Sequence, residues 1–171
     1  MKHLFIAGCI ALLALVSVPA VAEDKAAAVI TGMEYEVFKT VLAEYPSYSV
    51  DKATLSSTFF GELVKGKFFP PLDPDIIGDL NEKNKVACEL PAEFIVQVPA
   101  DQGRLHAGNK YVQLSRVGFD KESGKALVVV KTTYVAPRDV MNEGEFILLS
   151  SKDGKWTVEK KAEAWGTMLG E

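Results

Sequence analysis

The apolar positions of this chain change period part-way along it. From Met33 they recur at helical spacing: Met33, Val37, Phe38, Val41, Leu42 and Tyr45 form one stripe on a helix predicted over 32–45. Thr31 stands three residues before Glu34, so its hydroxyl can cap the free amides while the carboxylate reaches back, and Pro46 closes the element. The other side carries Glu34, Glu36, Lys39 and Glu44 with no basic excess, so the stripe is predicted to face a core and not a bilayer. Residues 47–58, rich in Ser, Thr and Tyr, read as an extended strand. Phe59, Phe60, Leu63, Val64, Phe68 and Phe69 crowd a short helix or turn that Pro70-Pro71 ends. Asp73 then caps a second helix with Pro74 in its first turn and a narrow apolar face of Ile76, Ile77 and Leu80, fraying over 81–85.

From residue 93 the period becomes two. Strands are predicted at Phe94 to Val98, Lys110 to Phe119, Lys125 to Tyr134, Glu143 to Ser151 and Lys155 to Trp165, with a loop over 101–109. Asp120 to Gly124 and Lys152-Asp153-Gly154 are hairpin turns, the second with an Asp-Gly pair suited to positive backbone angles. Val135 to Asn142 is a longer connection. The sum is an α+β class: N-terminal helices packed on a curved antiparallel meander of four to six strands, half-cone or cystatin-like, with the Thr31–Tyr45 helix covering one sheet face.

Ahead of this fold stands a different pattern. Lys2 and His3 are followed by a nearly unbroken apolar run from Leu4 to Val18, then Pro19 and Ala20-Val21-Ala22. This is the signature of a secretory signal peptide over 1–22, cleaved after Ala22 and too short to serve as a membrane span. An alternative cleavage at Ile6-Ala7-Gly8-Cys9 would make a lipoprotein of Cys9, but only about five apolar residues precede it, fewer than an h-region needs. Residues 23–30 read as a flexible lead-in and 31–171 as a single domain in a periplasmic or secreted protein, with no transmembrane span after processing.

Processing changes the chemical inventory. The leader carries one of the 19 basic residues and none of the 23 acidic ones, so the net charge goes from −4 to −5. That mild acidity offers no footprint for nucleic acid. Cys9 and His3 leave with the leader, so Cys88 is a free thiol and His106 the single histidine. Cys88 is either a small core residue or, in an oxidising compartment, a reactive or intermolecularly paired one.

Several pieces of the C-terminal half are distinctive: Ser115-Arg116-Val117-Gly118-Phe119, the apolar run Ala126 to Val130, Gly144 before Phe146 to Leu149, and Gly154-Lys155-Trp156 with a closing Trp165. With Tyr35-Glu36-Val37-Phe38 of the first helix, they resemble a family of small exported bacterial proteins of unknown biochemical function. Residues 59–92 lie outside that likeness. The closing hairpin is similar, at fold level, to the half-cones of nuclear transport factor and scytalone dehydratase. The resemblance implies a fold and no activity. The His and Asp pairs of the enzymatic half-cones have no counterpart here.

The chemistry that remains is sparse. One histidine excludes a His-rich zinc site, and no Gly-x-Ser-x-Gly elbow is present. Asp73, Asp75, Asp79 and Glu82 miss EF-hand spacing, because the fifth position from Asp73 is Ile77 and the twelfth Asn84. No phosphate loop or dinucleotide fingerprint occurs. No catalytic residue, metal or cofactor is therefore assigned.

Candidate binding residues are Arg116, Tyr134, Arg138, Asp139 and Glu145. Alternation places Arg116 with Val112 and Leu114, opposite Val117 and Phe119. It is then an internal tether to Glu145 or Glu36, a solvated outer-face residue or an anion reader. Trp156 is expected in the core with Val158, Ile147 and Leu149; Trp165 with Met168 and Leu169 is core or a docking edge.

The leading expectation is a non-catalytic binding or accessory module whose partner is an unknown protein or small ligand of the envelope. The alternatives are a small hydrolase or lyase with Tyr35, Tyr111, Tyr134, Glu36 and Glu145 converging in a pocket, and a protein inhibitor acting through the 135–142 loop.

Overall fold

The computed structural model describes residues 29–95, 109–120 and 122–169, the side chains of 167–169 excepted. The leader, Val96 to Val98, Arg104 and His106 lie outside the described residues.

Helix α1 runs Gly32–Leu42 and begins with the full capping box: the Glu34 amide donates to Thr31 Oγ1, and the Thr31 amide to Glu34 Oε2 at 3.0 Å. Glu44 and Tyr45 continue past the helix as a turn, their amides donating to Val41 and Leu42. Val37, Phe38 and Val41 are fully buried. Two positions of the helical wheel are exchanged relative to expectation. Met33 is 58% exposed, and Glu34 is completely buried. Burial of Glu34 follows from the second partner it finds, described below.

After β1 (Ser49–Val50) come two short helices, α2 (Phe60–Leu63) and α3 (Pro74–Lys83). Asp73 caps α3 through the Asp75 amide. The strands are β2 (Lys110–Leu114), β3 (Gly118–Asp120), β4 (Lys125–Val135), β5 (Val140–Lys152) and β6 (Lys155–Leu169). The sheet order is β1-β2-β4-β5-β6, with β3 beside β4. The result is an α+β fold with a curved, open sheet. It is mixed and not purely antiparallel, because β1 pairs with β2 in parallel. Only two residues of the predicted 47–58 strand join the sheet as β1; beyond them Ala53 and Leu55 make isolated bridges.

Strand β4 explains the layering. Ala126, Val128 and Val130 point to the core beneath α1, whereas Leu127 and Val129 point to a second core beneath α2 and α3. A continuous apolar run buried on both faces is the reason this strand does not alternate. Both sheet faces are covered, one by α1 and one by the α2–α3 layer, where a single cover was expected.

The long predicted strand 110–119 is broken into β2 and β3. Leu114 pairs with Val130 and Gly118 with Leu127, so this side takes one residue more than β4 does. The extra residue resets the alternation. Val112, Leu114, Val117 and Phe119 consequently all enter the α1 core, and Arg116 does not stand opposite the last two as simple alternation required. Gly118 is needed where α3 lies on β3: a Cβ there would sit 2.4 Å from the Ile76 carbonyl oxygen and 2.8 Å from the Leu80 nitrogen.

Two further readings change. Phe94 ends a 3-10 turn, Ala92–Phe94, begun by Pro91, and stacks on Tyr35 at 4.7 Å instead of starting a strand. The 135–142 connection shrinks to a four-residue turn, because Val135 pairs with Val140 and the Ala136 amide donates to the Asp139 carbonyl. Strand β6 carries two register shifts against β5, opposite Gly144/Glu145 and Leu148/Leu149. Bulges of this kind twist an edge strand and discourage pairing with other chains.

Candidate functional site

Arg116 sits in the β2–β3 break and is 7% exposed. Its Nε donates to Glu34 Oε1 at 3.1 Å and its Nη2 to Glu34 Oε2 at 2.7 Å, with a further bond to the Val29 carbonyl. The partner is thus Glu34, and neither Glu36 nor Glu145. Glu34 also accepts from the Val117 amide at 3.3 Å, so one carboxylate serves the helix cap, the guanidinium and the strand break. Burial pushes its carboxyl up, but the bonds from Arg116, Thr31 and Val117 outweigh this and hold it below the ordinary value of 4.5. Asn84, also fully buried, fixes the same break from α3: it accepts from the Arg116 amide at 2.7 Å and donates to the Arg116 carbonyl at 3.1 Å. These contacts make Arg116 an internal tether.

The other candidates are dispersed. Tyr134 is half-buried near the end of β4, paired with Lys110 and Met141. Arg138 and Asp139 are exposed on the turn. Glu145 lies five positions along β5 from the start of that strand, roughly 17 Å away at the rise of a strand. Tyr111 and Tyr134 stand on opposite sheet faces, since Tyr111 is one step from buried Val112 and Tyr134 two steps from its partner Thr132. Glu36 borders a separate shallow cleft with Trp156 and Lys155. The five groups offered for a convergent pocket therefore do not converge. The space between α1 and the sheet is filled by Val37, Phe38, Val41, Leu114, Val128 and Ile147.

Cys88 is a buried free thiol whose own amide donates to Thr54 Oγ1 at 2.9 Å. Trp156 packs half-buried on Phe119 at 5.8 Å. Trp165 lies over Gly144, where a Cβ would come within 2.3 Å of its ring, and packs into the α2–α3 core.

What the fold does bring together surrounds Glu145. A cleft of about 400 Å³ opens past the end of α1, lined by Tyr45, Tyr48, Thr132, Glu143, Glu145 and Glu163 together with the Gly144–Trp165 pair. The tyrosine rings meet edge to face at 5.4 Å. The Tyr45 hydroxyl donates to Glu145 Oε2 at 2.9 Å, and burial together with that carboxylate raises its pKa well above the ordinary value. Glu143 and Glu145 share a face at a spacing of two, and Glu163 stands directly across from Glu145. The nearest cation is Lys161, 3.4 Å from Glu44, 3.8 Å from Glu145 and 5.6 Å over the Tyr45 ring. Lys110 lies 5.6 Å over the Tyr48 ring.

Comparison of the chain with protein families, with characterised proteins and with solved structures finds no match.

Tyr45, Tyr48, Glu143 and Glu163 were not among the sequence candidates. The Glu143–Glu145 spacing was readable from alternation. Glu163 was not, because an unbulged hairpin would set Ala162 opposite Glu145, and only the register shift near Leu148/Leu149 substitutes a glutamate. Among the described residues no group of three or more His, Cys, Asp or Glu is arranged to hold a metal ion, and no helix is long and apolar enough to cross a membrane.

Proposed function

We propose that this chain is an exported, non-catalytic binding module and that the cleft of Tyr45, Tyr48, Glu143, Glu145 and Glu163 receives a cationic group of its partner. The observation that carries this reading is the direct opposition of Glu145 and Glu163 with Glu143 on the same face. Like charges across a strand pair are destabilising. A patch that holds three carboxylates beside two aromatic rings suits an ammonium or guanidinium, which gains both ion pairing and ring-face contact. Export rests on the leader pattern, and the binding role on the acidic and aromatic lining of the cleft. Tyr45, its pKa raised and its proton held by Glu145, is a wall and not a base at neutral pH.

The test is NMR titration of the labelled protein with spermidine and with a trilysine peptide. Saturable shifts at the Gly144 and Gly166 amides, falling with salt and absent from Glu143→Gln/Glu163→Gln, are expected. Shifts that do not saturate, or that persist in the double variant, overturn the reading.

A further inference from the structure

A cation of the chain itself already stands at one end of the acidic cleft. The Lys161 ammonium lies 3.4 Å from Glu44, 3.8 Å from Glu145 and 5.6 Å over the Tyr45 ring. Carboxylates at two sides and an aromatic face are the surroundings that stabilise an alkylammonium ligand. The hold is loose. A charge-assisted N–H···O bond closes to about 2.7–2.9 Å, and both Lys161 distances are longer. Glu145 Oε2 is already filled by the Tyr45 hydroxyl at 2.9 Å. The side chains of Lys161, Glu44 and Glu145 are 35%, 47% and 37% exposed, a setting in which an ion pair contributes little. Lys161 therefore balances charge at this end without being fixed there.

The other end has no such occupant. Glu143 and Glu163 are diagonal neighbours on the β5–β6 pair, close enough for their long side chains to face one group. Among the described residues neither has a cation within ion-pair distance. Lys110 reaches only the Tyr48 ring, at 5.6 Å. Glu44, Glu143, Glu145 and Glu163 thus face two ammonium groups, Lys110 and Lys161, and the cleft stays net negative. Its two ends are separated by one two-residue step of β5, roughly 7 Å, which is the reach of a short alkyl diamine. A volume of about 400 Å³ suits a small molecule.

We propose that the ligand of this cleft is an alkyl diamine and that Lys161 is the internal stand-in it displaces. One ammonium goes between Glu143 and Glu163; the other takes the Lys161 position beside Glu44, Glu145 and Tyr45. This rests on the cleft being a cation site, and adds the ligand's second charge and the side chain that leaves to admit it.

The experiment is NMR titration of the labelled protein with putrescine and, separately, with butylamine, at matched ionic strength. The Gly144 and Gly166 amides report binding, and nuclear Overhauser contacts between the Lys161 methylenes and the Tyr45 ring report displacement. Putrescine should saturate the amide shifts and remove the contacts. Butylamine should bind about fivefold more weakly, having one ion pair fewer, and leave the contacts in place. Lys161→Met, freed of the competitor, should bind putrescine about three- to fivefold more tightly. Lys131, paired with Gly144 and one step from Thr132, carries the same charge on the opposite sheet face, so Lys131→Met should gain less. Saturable putrescine binding with the Lys161–Tyr45 contacts intact, or equal gains from the two lysine variants, overturns the displacement and leaves the cation site standing. Equal affinities for putrescine and butylamine overturn the two-charge ligand. Putrescine binding by Lys161→Met alone also overturns the displacement, because Lys161 is then a fixed occupant. Absence of saturable shifts in wild type and Lys161→Met alike removes the cation site and the displacement together.

Discussion

Glu34 and Arg116 clasp each other through two hydrogen bonds across 82 residues of chain, inside the protein. The pair joins the first turn of α1 to the point where β2 gives way to β3. Each element needs the other's charge. The helix start leaves backbone amides that a carboxylate satisfies, and the strand break buries a guanidinium that only an anion can compensate.

Removing either partner should therefore be severe. Glu34→Gln or Arg116→Met should lower the unfolding free energy by about 3–5 kcal/mol, because the surviving charge is left buried and alone. The double variant Glu34→Gln/Arg116→Met should recover much of that loss. Urea unfolding of the four proteins checks it. Additive losses would show that the two groups act independently.

The same pair fixes a pH dependence. The Glu34 carboxyl titrates lower in the folded chain than at its ordinary value of 4.5. Its stabilising contribution is present above that unfolded-state value and is lost as pH falls through the lowered folded value. The stability gap between wild type and Glu34→Gln should be constant near neutrality and shrink once pH drops below about 4.5. Urea midpoints of both proteins from neutral to acid pH measure it. A gap that widens in acid contradicts the assignment.

Glycines separate by what their hydrogen faces. Gly118→Ala forces a methyl into the α3 backbone and should be destabilising by about 1–3 kcal/mol or more. Gly78→Ala, with nothing within 4 Å of the new atom in the middle of α3, should stabilise by about 0.5–1 kcal/mol. Thermal melts of the two variants moving in opposite directions confirm that close packing of α3 on β3, and not turn geometry, requires Gly118.

Much of this fold was legible because local signals agreed with tertiary ones. The capping box at Thr31, Asp73-Pro74 and the Asp153-Gly154 turn each specify their geometry within four residues, and all three stand as read; Asp153 and Gly154 have the positive φ values of 53° and 76° that such a turn needs. What escaped depends on register. A single extra residue in the β2–β3 break reverses which faces Val117 and Phe119 occupy, and one near Glu159 decides which residue opposes Glu145. Period-two reading carries no information about such insertions. Glu34 was placed in water because its amphipathic position is polar, and nothing local announces a guanidinium 82 residues away.

The cleft yields the sharpest test, because it sets stability against binding. Glu163 stands across from Glu145, with Glu143 on the same face, and Lys161 at 3.8 Å from Glu145 is the nearest counter-charge. These side chains are partly exposed, so their repulsion is screened but not removed. Glu163→Gln should raise stability by about 0.2–1 kcal/mol, the usual size of a cross-strand like-charge penalty, and the gain should fall in high salt. The same substitution should weaken spermidine binding. A residue that stabilises the fold when removed and weakens a ligand when removed is one kept for the ligand. Chemical denaturation and calorimetric titration on the one variant supply both numbers. Unchanged affinity with higher stability would leave the three glutamates as a solubility feature and end the proposal for this cleft.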